Sequence, residues 1–60
     1  MNTLSEYDRA NVGAIIAGDG DWFSAQLLRL IRKADFENRA KLRLGFPDHV
    51  AAIERWEEGR

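Results

Sequence analysis

Cysteine is absent from this sequence of 60 residues, and histidine occurs only once. Without cysteine the chain can form neither a disulfide nor a thiolate metal site, and one histidine cannot supply a histidine cluster. Small domains that lack such crosslinks depend on well-packed helices or on self-association for their stability. We therefore expect no metal and no cofactor in this protein.

Long apolar runs and a large net charge are missing as well. The longest apolar run, residues 12–17, contains a glycine and is far too short to span a bilayer. The polar and acidic start of the chain is unlike the basic and apolar start of a signal peptide, which predicts a cytoplasmic protein. A formal net charge of −1 gives no general attraction to nucleic acid or to an anionic membrane, so we expect no membrane partner.

The composition that is present is typical of a small globular domain. Hydrophobic residues make up 45% of the chain and charged residues 32%, which is too apolar for a disordered segment. A chain of this length buries only about 60% of the surface that its unfolded form exposes. We predict a single domain over residues 1–60 with a small core.

Apolar residues recur at helical spacing along the chain, and no segment alternates apolar and polar residues as a strand does. Thr3 is the expected N-cap of the first helix, with Glu6 completing a capping box, and Gly18 is expected to end it. Asn11 lies within the apolar face of this helix, so we expect its side chain to be hydrogen-bonded at the edge of the core. The sequence therefore predicts an all-α fold, a compact bundle of four short helices at residues 4–17, 22–34, 36–44 and 47–58.

The second helix has the strongest amphipathic pattern. Asp21 is its predicted N-cap, because a carboxylate there can accept from the free N–H groups of the first turn. Asp35 and Pro47 have the chemistry of helix starts for the third and fourth helices, and Gly45 and Gly59 close them. The expected core-facing residues of the second helix lie at i, i+4, i+7, i+8 and i+11, namely Phe23, Leu27, Leu30, Ile31 and Ala34.

The stretch GDGDWF, residues 18–23, has the look of a calcium or phosphate loop. In a calcium loop aligned on it, the first, third and twelfth ligand positions fall on Ile15, Ala17 and Gln26, none of which is a carboxylate. A phosphate loop needs a lysine after its glycines, and this stretch has none. We therefore predict a connection between two helices, with Trp22 and Phe23 entering the core.

Residues capable of acid–base chemistry do not form a convincing catalytic set. His49 has Asp48 beside it and Glu54 on the same helix, but no nucleophile is evident, because Ser5 and Ser24 are better explained as helix starts. A histidine in the first turns of a surface helix is usually solvated. The sequence thus predicts a protein without enzymatic activity.

The distribution of charge is more informative than its sum. Six of the nine basic residues lie between positions 29 and 43, and most of the acidic residues lie outside that segment. One hypothesis is that the basic segment 29–43 binds nucleic acid, although Phe36 and Glu37 are not the base-reading residues expected at the start of a recognition helix. The other is that these residues are neutralised by acidic residues of the same chain.

Six aromatic residues are many for so small a domain. We expect most of them to form the core. Phe36 is either exposed beside arginines, which is the composition of a protein-binding hot spot, or tucked against the neighbouring helix. The leading hypothesis is a non-enzymatic protein that binds a protein partner, and a homodimer with Trp56 or Phe36 in the interface is also expected. The predicted partner-binding residues are Trp22, Arg32, Phe36, Arg39 and Arg43.

Two segments, DWFSAQLLRLIRKAD at residues 21–35 and NRAKLRLGFPDHVAAIERW at residues 38–56, carry a family resemblance. They resemble small uncharacterised proteins of actinobacteria and their bacteriophages, with the pattern DWFxAxLLRLIxKADxxNRxxLxxGFPxxVAAxxxW. Phe36 departs from the pattern, because a proline is expected there after the aspartate cap. The resemblance transfers no activity and no site. It implies a phage or prophage accessory protein that acts inside the host cell.

Overall fold

The structure, a computed structural model, describes residues 4–59. Within this range it contains no strand, so the predicted all-α class is confirmed. The number of helices differs from the prediction, because the first predicted helix is divided into two. The described residues form five helices: α1 (Glu6–Ala10), α2 (Val12–Ile16), α3 (Phe23–Lys33), α4 (Phe36–Gly45) and α5 (Pro47–Glu58).

The division of the first helix occurs at Asn11, whose backbone leaves the helical region at φ −122° and ψ 26°. Its side-chain Nδ2 donates to the carbonyl of Tyr7 at 2.8 Å, as expected for a half-buried asparagine. Such local side-chain bonds compete with helix propagation. The N-cap is Ser5, whose hydroxyl accepts from the N–H of Asp8 at 3.1 Å. The predicted capping residue Thr3 lies outside the described residues.

The connection between α2 and α3 depends on two glycines. Gly18 and Gly20 both have positive φ angles, 118° and 85°, which side-chain-bearing residues rarely adopt. A Cβ atom at Gly20 would also lie 2.1 Å from the ring of Trp22. The interpretation of GDGDWF as an interhelical turn is therefore confirmed. The predicted cap is wrong, because α3 begins at Phe23 without a side-chain cap and the carboxylate of Asp21 makes no capping bond.

The limits of α4 and α5 agree closely with the prediction. The Asp35 carboxylate accepts from the N–H of Asn38 at 2.8 Å and caps α4. Pro47 lies at the start of α5, where its missing N–H and its restricted φ angle favour helix initiation, and Gly59 is the C-cap. These helix ends depend on local chemistry alone, which is why the sequence predicts them well.

The core is aliphatic and centres on α3, which packs against both α2 and α5. Helix α4 packs chiefly against α5 and makes only weak contact with α3. The largest side chains with almost no exposed surface are Ile15, Leu28, Ile31, Val50 and Ile53. Leu42, Phe46 and Trp56 pack against this cluster from its edge.

The prediction that most of the aromatic residues form the core is wrong. Phe36 is exposed, which was one of its two predicted positions, but Phe23 is also 71% exposed, and Tyr7 and Trp22 lie at the surface. Leu30, another predicted core residue of α3, is 51% exposed. The physical reason is that α2 and α5 cover the part of α3 around Leu27 and Leu28, and Phe23 and Leu30 lie at its margin, where the Phe23 ring is 6.2 Å from that of Phe46.

None of the helices within residues 4–59 is both long enough and apolar enough to cross a bilayer.

Candidate functional site

The outward side of α4 is the most unusual surface of the described protein. Phe36, Ala40 and Leu44 are spaced by four residues and lie along one side of the helix. Phe36 is 91% exposed and Leu44 is 88% exposed, and Ala40 is exposed between them. We call these three residues the α4 face. At about 1.5 Å per residue, its ends lie roughly 12 Å apart along the helix axis.

The inward side of α4 is attached to α5 by ion pairs. Arg39 donates from Nη1 to Glu57 Oε1 at 2.8 Å and from Nη2 to Glu57 Oε2 at 3.2 Å. Arg43 donates from its two terminal nitrogens to the two oxygens of Glu54, at 3.0 and 2.8 Å. Two-point pairing of this kind sets the orientation of both planar groups. Helix α4 is therefore held in one rotation about its axis, which directs the α4 face outward.

The ion pairs perturb the acid–base properties of the groups that form them. Hydrogen bonding from Arg39 lowers the pKa of Glu57, and hydrogen bonding from Arg43 lowers the pKa of Glu54. The same bonds raise the pKa values of both arginines. All four groups therefore remain charged at neutral pH, and both ion pairs between α4 and α5 are formed at that pH.

A third arginine belongs to the same network. Arg32 of α3 donates to Glu57 Oε2 at 3.1 Å, so that Glu57 receives hydrogen bonds from two helices. The guanidinium carbon of Arg32 lies 5.6 Å from the centroid of the Trp56 ring, a cation–π contact. Arg39 also donates to the carbonyl of Ile31 at 3.0 Å. These contacts bring α3, α4 and α5 together at one end of the bundle.

The five predicted partner-binding residues thus have three different surroundings. Phe36 is free at the surface, whereas Arg32, Arg39 and Arg43 are engaged with glutamates of α5. Trp22 lies at the start of α3, with its ring 5.8 Å from that of Tyr7 in an edge-on arrangement. Sequence reasoning missed Ala40 and Leu44. Their signal was the spacing of four from Phe36, which becomes informative only when the buried side of α4 is known.

The arrangement of the basic segment favours neutralisation within the chain over a nucleic-acid surface. Arg29 donates to backbone carbonyls of the α2–α3 connection, at 2.8 Å to Ile15 and 2.7 Å to Gly20. The other three arginines of the segment pair with glutamates of α5, as described above. Among residues 29–43, the basic side chains without an ion pair inside the described chain are Arg29, whose guanidinium donates to backbone carbonyls, Lys33 and Lys41.

A buried polar cluster joins α1 to the start of α3. The carboxylate of Asp8 is buried and accepts from Trp22 Nε1 at 3.0 Å and from the hydroxyl of Ser24. Both carboxylate oxygens are thereby occupied by hydrogen bonds that link the two helices. This cluster could not be predicted from local spacing, because Trp22 and Ser24 lie fourteen and sixteen residues after Asp8.

The prediction that His49 is solvated is wrong, because the side chain is buried. It lies close enough to Asp8 to interact with the charge of that carboxylate. The imidazole is buried, packs edge-on against Phe46 with 5.7 Å between ring centroids, and has no hydrogen bond at Nδ1. Burial lowers the pKa of His49, although the Asp8 and Asp48 carboxylates act in the opposite direction. The ring is therefore neutral at pH 7 and behaves as a packing residue of α5.

No group of three or more His, Cys, Asp or Glu side chains within residues 4–59 is arranged to hold a metal ion. Comparisons of the chain with protein-family models, with curated proteins and with solved structures gave no match.

Proposed function

We propose that this chain is a non-enzymatic helical protein that binds another protein through the α4 face. The observation that carries the proposal is the near-complete exposure of Phe36 and Leu44 on a helix whose opposite side is attached to α5. Scattered exposed apolar residues are ordinary, but two large ones at helical spacing with an alanine between them form a continuous strip. A helix of this type binds in an apolar groove of its partner.

The energetics of such a contact are favourable for a small protein. Burying one Phe or Leu side chain contributes about 1.5–3 kcal/mol, so the two anchors contribute about 3–6 kcal/mol before the entropic cost of association is subtracted. The ion pairs from Arg39 and Arg43 order α4 before binding, which reduces the conformational entropy lost on association. In this proposal the two arginines orient the helix, and Phe36 and Leu44 make the contact.

The resemblance to actinobacterial and phage proteins suggests where the partner is found. We propose that the chain is a phage or prophage accessory protein that acts on a host factor in the host cytoplasm. The residues of the α4 face describe the chemistry of the contact, an apolar strip with an acidic residue, Glu37, at its side.

The experiment is a comparison of captured proteins. The tagged parent chain, the variant Phe36→Ser with Leu44→Ser, and the variant Leu30→Ser are incubated with an actinobacterial lysate, and recovered proteins are quantified by mass spectrometry. We expect at least one protein to be recovered by the parent and by Leu30→Ser but not by the α4 variant. If all three chains recover the same proteins, or the parent recovers nothing above an empty resin, the proposal is wrong.

The same face also favours pairing with a second copy of the chain, which we propose as a weak homodimer. Phe36 and Leu44 lie at equal distances in sequence from Ala40, so a two-fold axis at Ala40 would place Phe36 of one copy on Leu44 of the other. Antiparallel pairing also brings Glu37 of one copy toward Lys41 of the other. Trp56 has less support as an interface residue, because its ring packs against the core and under Arg32.

Sedimentation equilibrium over a hundredfold range of concentration tests the pairing. We expect the mass to rise above the 6.9 kDa of the single chain at high concentration, and the Phe36→Ser variant to remain at that mass. A parent chain that stays at 6.9 kDa throughout, with a melting temperature independent of concentration, would contradict the dimer and leave the binding of other proteins unaffected.

A further inference from the structure

A groove between α3 and α4 forms a second surface, separate from the α4 face. It has a volume of about 500 Å³. Its apolar floor consists of Leu30, Ala34 and Leu42, and Lys33 and Lys41 lie along its sides. We call it the α3–α4 groove. It exists because α4 packs chiefly on α5 and leaves a gap beside α3.

The apolar floor extends along α3 beyond the groove itself. A neighbouring hollow of about 330 Å³ is lined by Phe23, Gln26, Leu27 and Leu30, so that Leu30 belongs to both depressions. Phe23, Leu27, Leu30 and Ala34 occupy one side of α3 over three turns, or roughly 16 Å. Phe23 and Leu30 are 71% and 51% exposed. This length matches the contact of a short amphipathic helix.

The available charge beside the floor is positive. Lys33 and Lys41 make no ion pair within residues 4–59, whereas the arginines of the same segment are engaged with glutamates or backbone carbonyls. The one carboxylate of the groove, that of Asp35, accepts the capping hydrogen bond from Asn38 and is oriented by it. An incoming segment with acidic side chains therefore finds two ammonium groups that have no competing partner.

We propose that the α3–α4 groove binds an acidic amphipathic helix of another protein. Apolar side chains on one side of that helix would cover Phe23 and Leu30 and would enter the groove beside Ala34 and Leu42. Acidic side chains on its flanks would pair with Lys33 and Lys41. The bound helix would lie between α3 and α4 and complete the packing that the chain leaves open there. This proposal does not depend on the α4 face.

The test uses a designed fluorescent peptide with leucines on one helical side and glutamates on both flanks. Two matched peptides have lysines in place of the glutamates, or the same composition in scrambled order. Binding to the full chain is followed by fluorescence anisotropy up to about 1 mM peptide. We expect the glutamate peptide to bind at least about tenfold more tightly than either control, with an affinity that falls as salt is added.

Variants of the chain locate the contact. The double variant Lys33→Glu with Lys41→Glu should reverse the preference between the glutamate and lysine peptides. The control Arg9→Glu with Arg55→Glu makes the same change in net charge on exposed residues away from the groove and should not reverse it. Leu30→Ser should weaken binding of the glutamate peptide by about tenfold, whereas Leu44→Ser should leave the affinity unchanged.

Several results would overturn the proposal. The proposal is wrong if the glutamate peptide does not bind up to the highest concentration, or if the chain binds the glutamate and lysine peptides equally well. It is also wrong if Leu30→Ser and Leu44→Ser weaken binding of the glutamate peptide equally. A charge preference that the Arg9 and Arg55 control reverses equally well would also overturn it, since the effect would then follow net charge alone. The α4 face is tested separately, by the protein-capture experiment with the Phe36→Ser and Leu44→Ser double variant.

Discussion

Helices α3 and α4 have similar length and similar composition, yet they are held in the protein by different forces. Helix α3 buries Ala25, Leu27, Leu28 and Ile31 and forms the centre of the core. Helix α4 contains no fully buried residue and is attached mainly by ion pairs to α5. Apolar residues at helical spacing lie in the core on one helix and in solvent on the other.

The difference shows that apolar spacing on a helix does not by itself identify its buried side. On α4 the charged residues Arg39 and Arg43 face the protein, and Phe36 and Leu44 face outward. An element attached through charge can keep its apolar residues available for a partner. An element attached through packing has used the apolar residues on its covered side, as α3 has with Leu28 and Ile31. Four experiments test this contrast between the two helices.

The largest effect is expected from a matched pair of leucine truncations. Leu28→Ala removes a fully buried side chain from α3 and should lower the free energy of unfolding by about 2–5 kcal/mol. Leu44→Ala removes an exposed side chain from α4 and should change it by less than about 0.5 kcal/mol. Since a core of this size supplies only about 3–5 kcal/mol, the Leu28 variant should be largely unfolded at room temperature. Urea unfolding followed by circular dichroism measures both, and similar losses would refute the contrast.

The next effect concerns the polar cluster that ties α1 to α3. Asp8→Ala leaves the indole N–H of Trp22 and the hydroxyl of Ser24 without their acceptor and should cost about 1–3 kcal/mol. Asp8→Asn keeps one acceptor oxygen and should cost less. Glu6→Ala, at an exposed position of the same helix, is the control. Equal stability of the Asp8→Ala and Glu6→Ala variants in urea would show that the cluster does not stabilise the fold.

A smaller effect is expected from the link between α4 and α5. Arg39→Gln breaks the two-point pair with Glu57 and should cost about 1 kcal/mol, at the upper end for ion pairs near the surface. The loss should shrink in high salt, because screening weakens the pair in the parent chain. Lys41→Gln, which removes a charge without an ion pair, is the control. A loss that does not depend on salt would mean that Arg39 acts through packing instead of charge.

The smallest effect is expected from mild acid. Burial lowers the pKa of His49 in the folded chain, so the unfolded chain binds more protons below about pH 6.5. His49 should therefore not reduce the free energy of unfolding above that pH, and the free energy of unfolding should decrease as the pH falls below it. The pKa values of Glu54 and Glu57 are lowered by their arginines, so their contribution is present above about pH 4.5 and is lost in stronger acid.

The variant His49→Gln separates the two ranges of pH. Urea unfolding at a series of pH values should show a flat stability for this variant between about pH 6.5 and 4.5, with the loss in stronger acid unchanged. If the parent and the variant lose stability in parallel through the upper range, the buried imidazole is not the cause.

Local chemistry accounts for the features that the sequence predicts correctly. The capping carboxylate of Asp35, the proline at position 47 and the glycines at positions 18 and 59 place helix ends within a few residues. For Phe36 the sequence left exposure and packing against the neighbouring helix open, and the structure shows it exposed. Each of these signals depends on residues within one or two helical turns.

Features that depend on contacts between distant segments could not be predicted in the same way. The side of α3 that is buried depends on where α2 and α5 lie, and the predicted core residues Phe23 and Leu30 are consequently exposed. The burial of His49 depends on its packing against Phe46 at the start of α5 and on the distant α1. No spacing rule within one helix contains this information.

The all-α class and the approximate positions of the helices follow from the sequence alone, because capping, glycine turns and apolar periodicity act over a few residues. Which apolar residues are covered and which charges are paired depends on how the helices pack together. Arg39 and Arg43 could have formed a basic surface, but α5 brings Glu54 and Glu57 within hydrogen-bonding distance of them. The physical reason is that burial and ion pairing depend on the distance between helices, and that distance results from packing the whole chain.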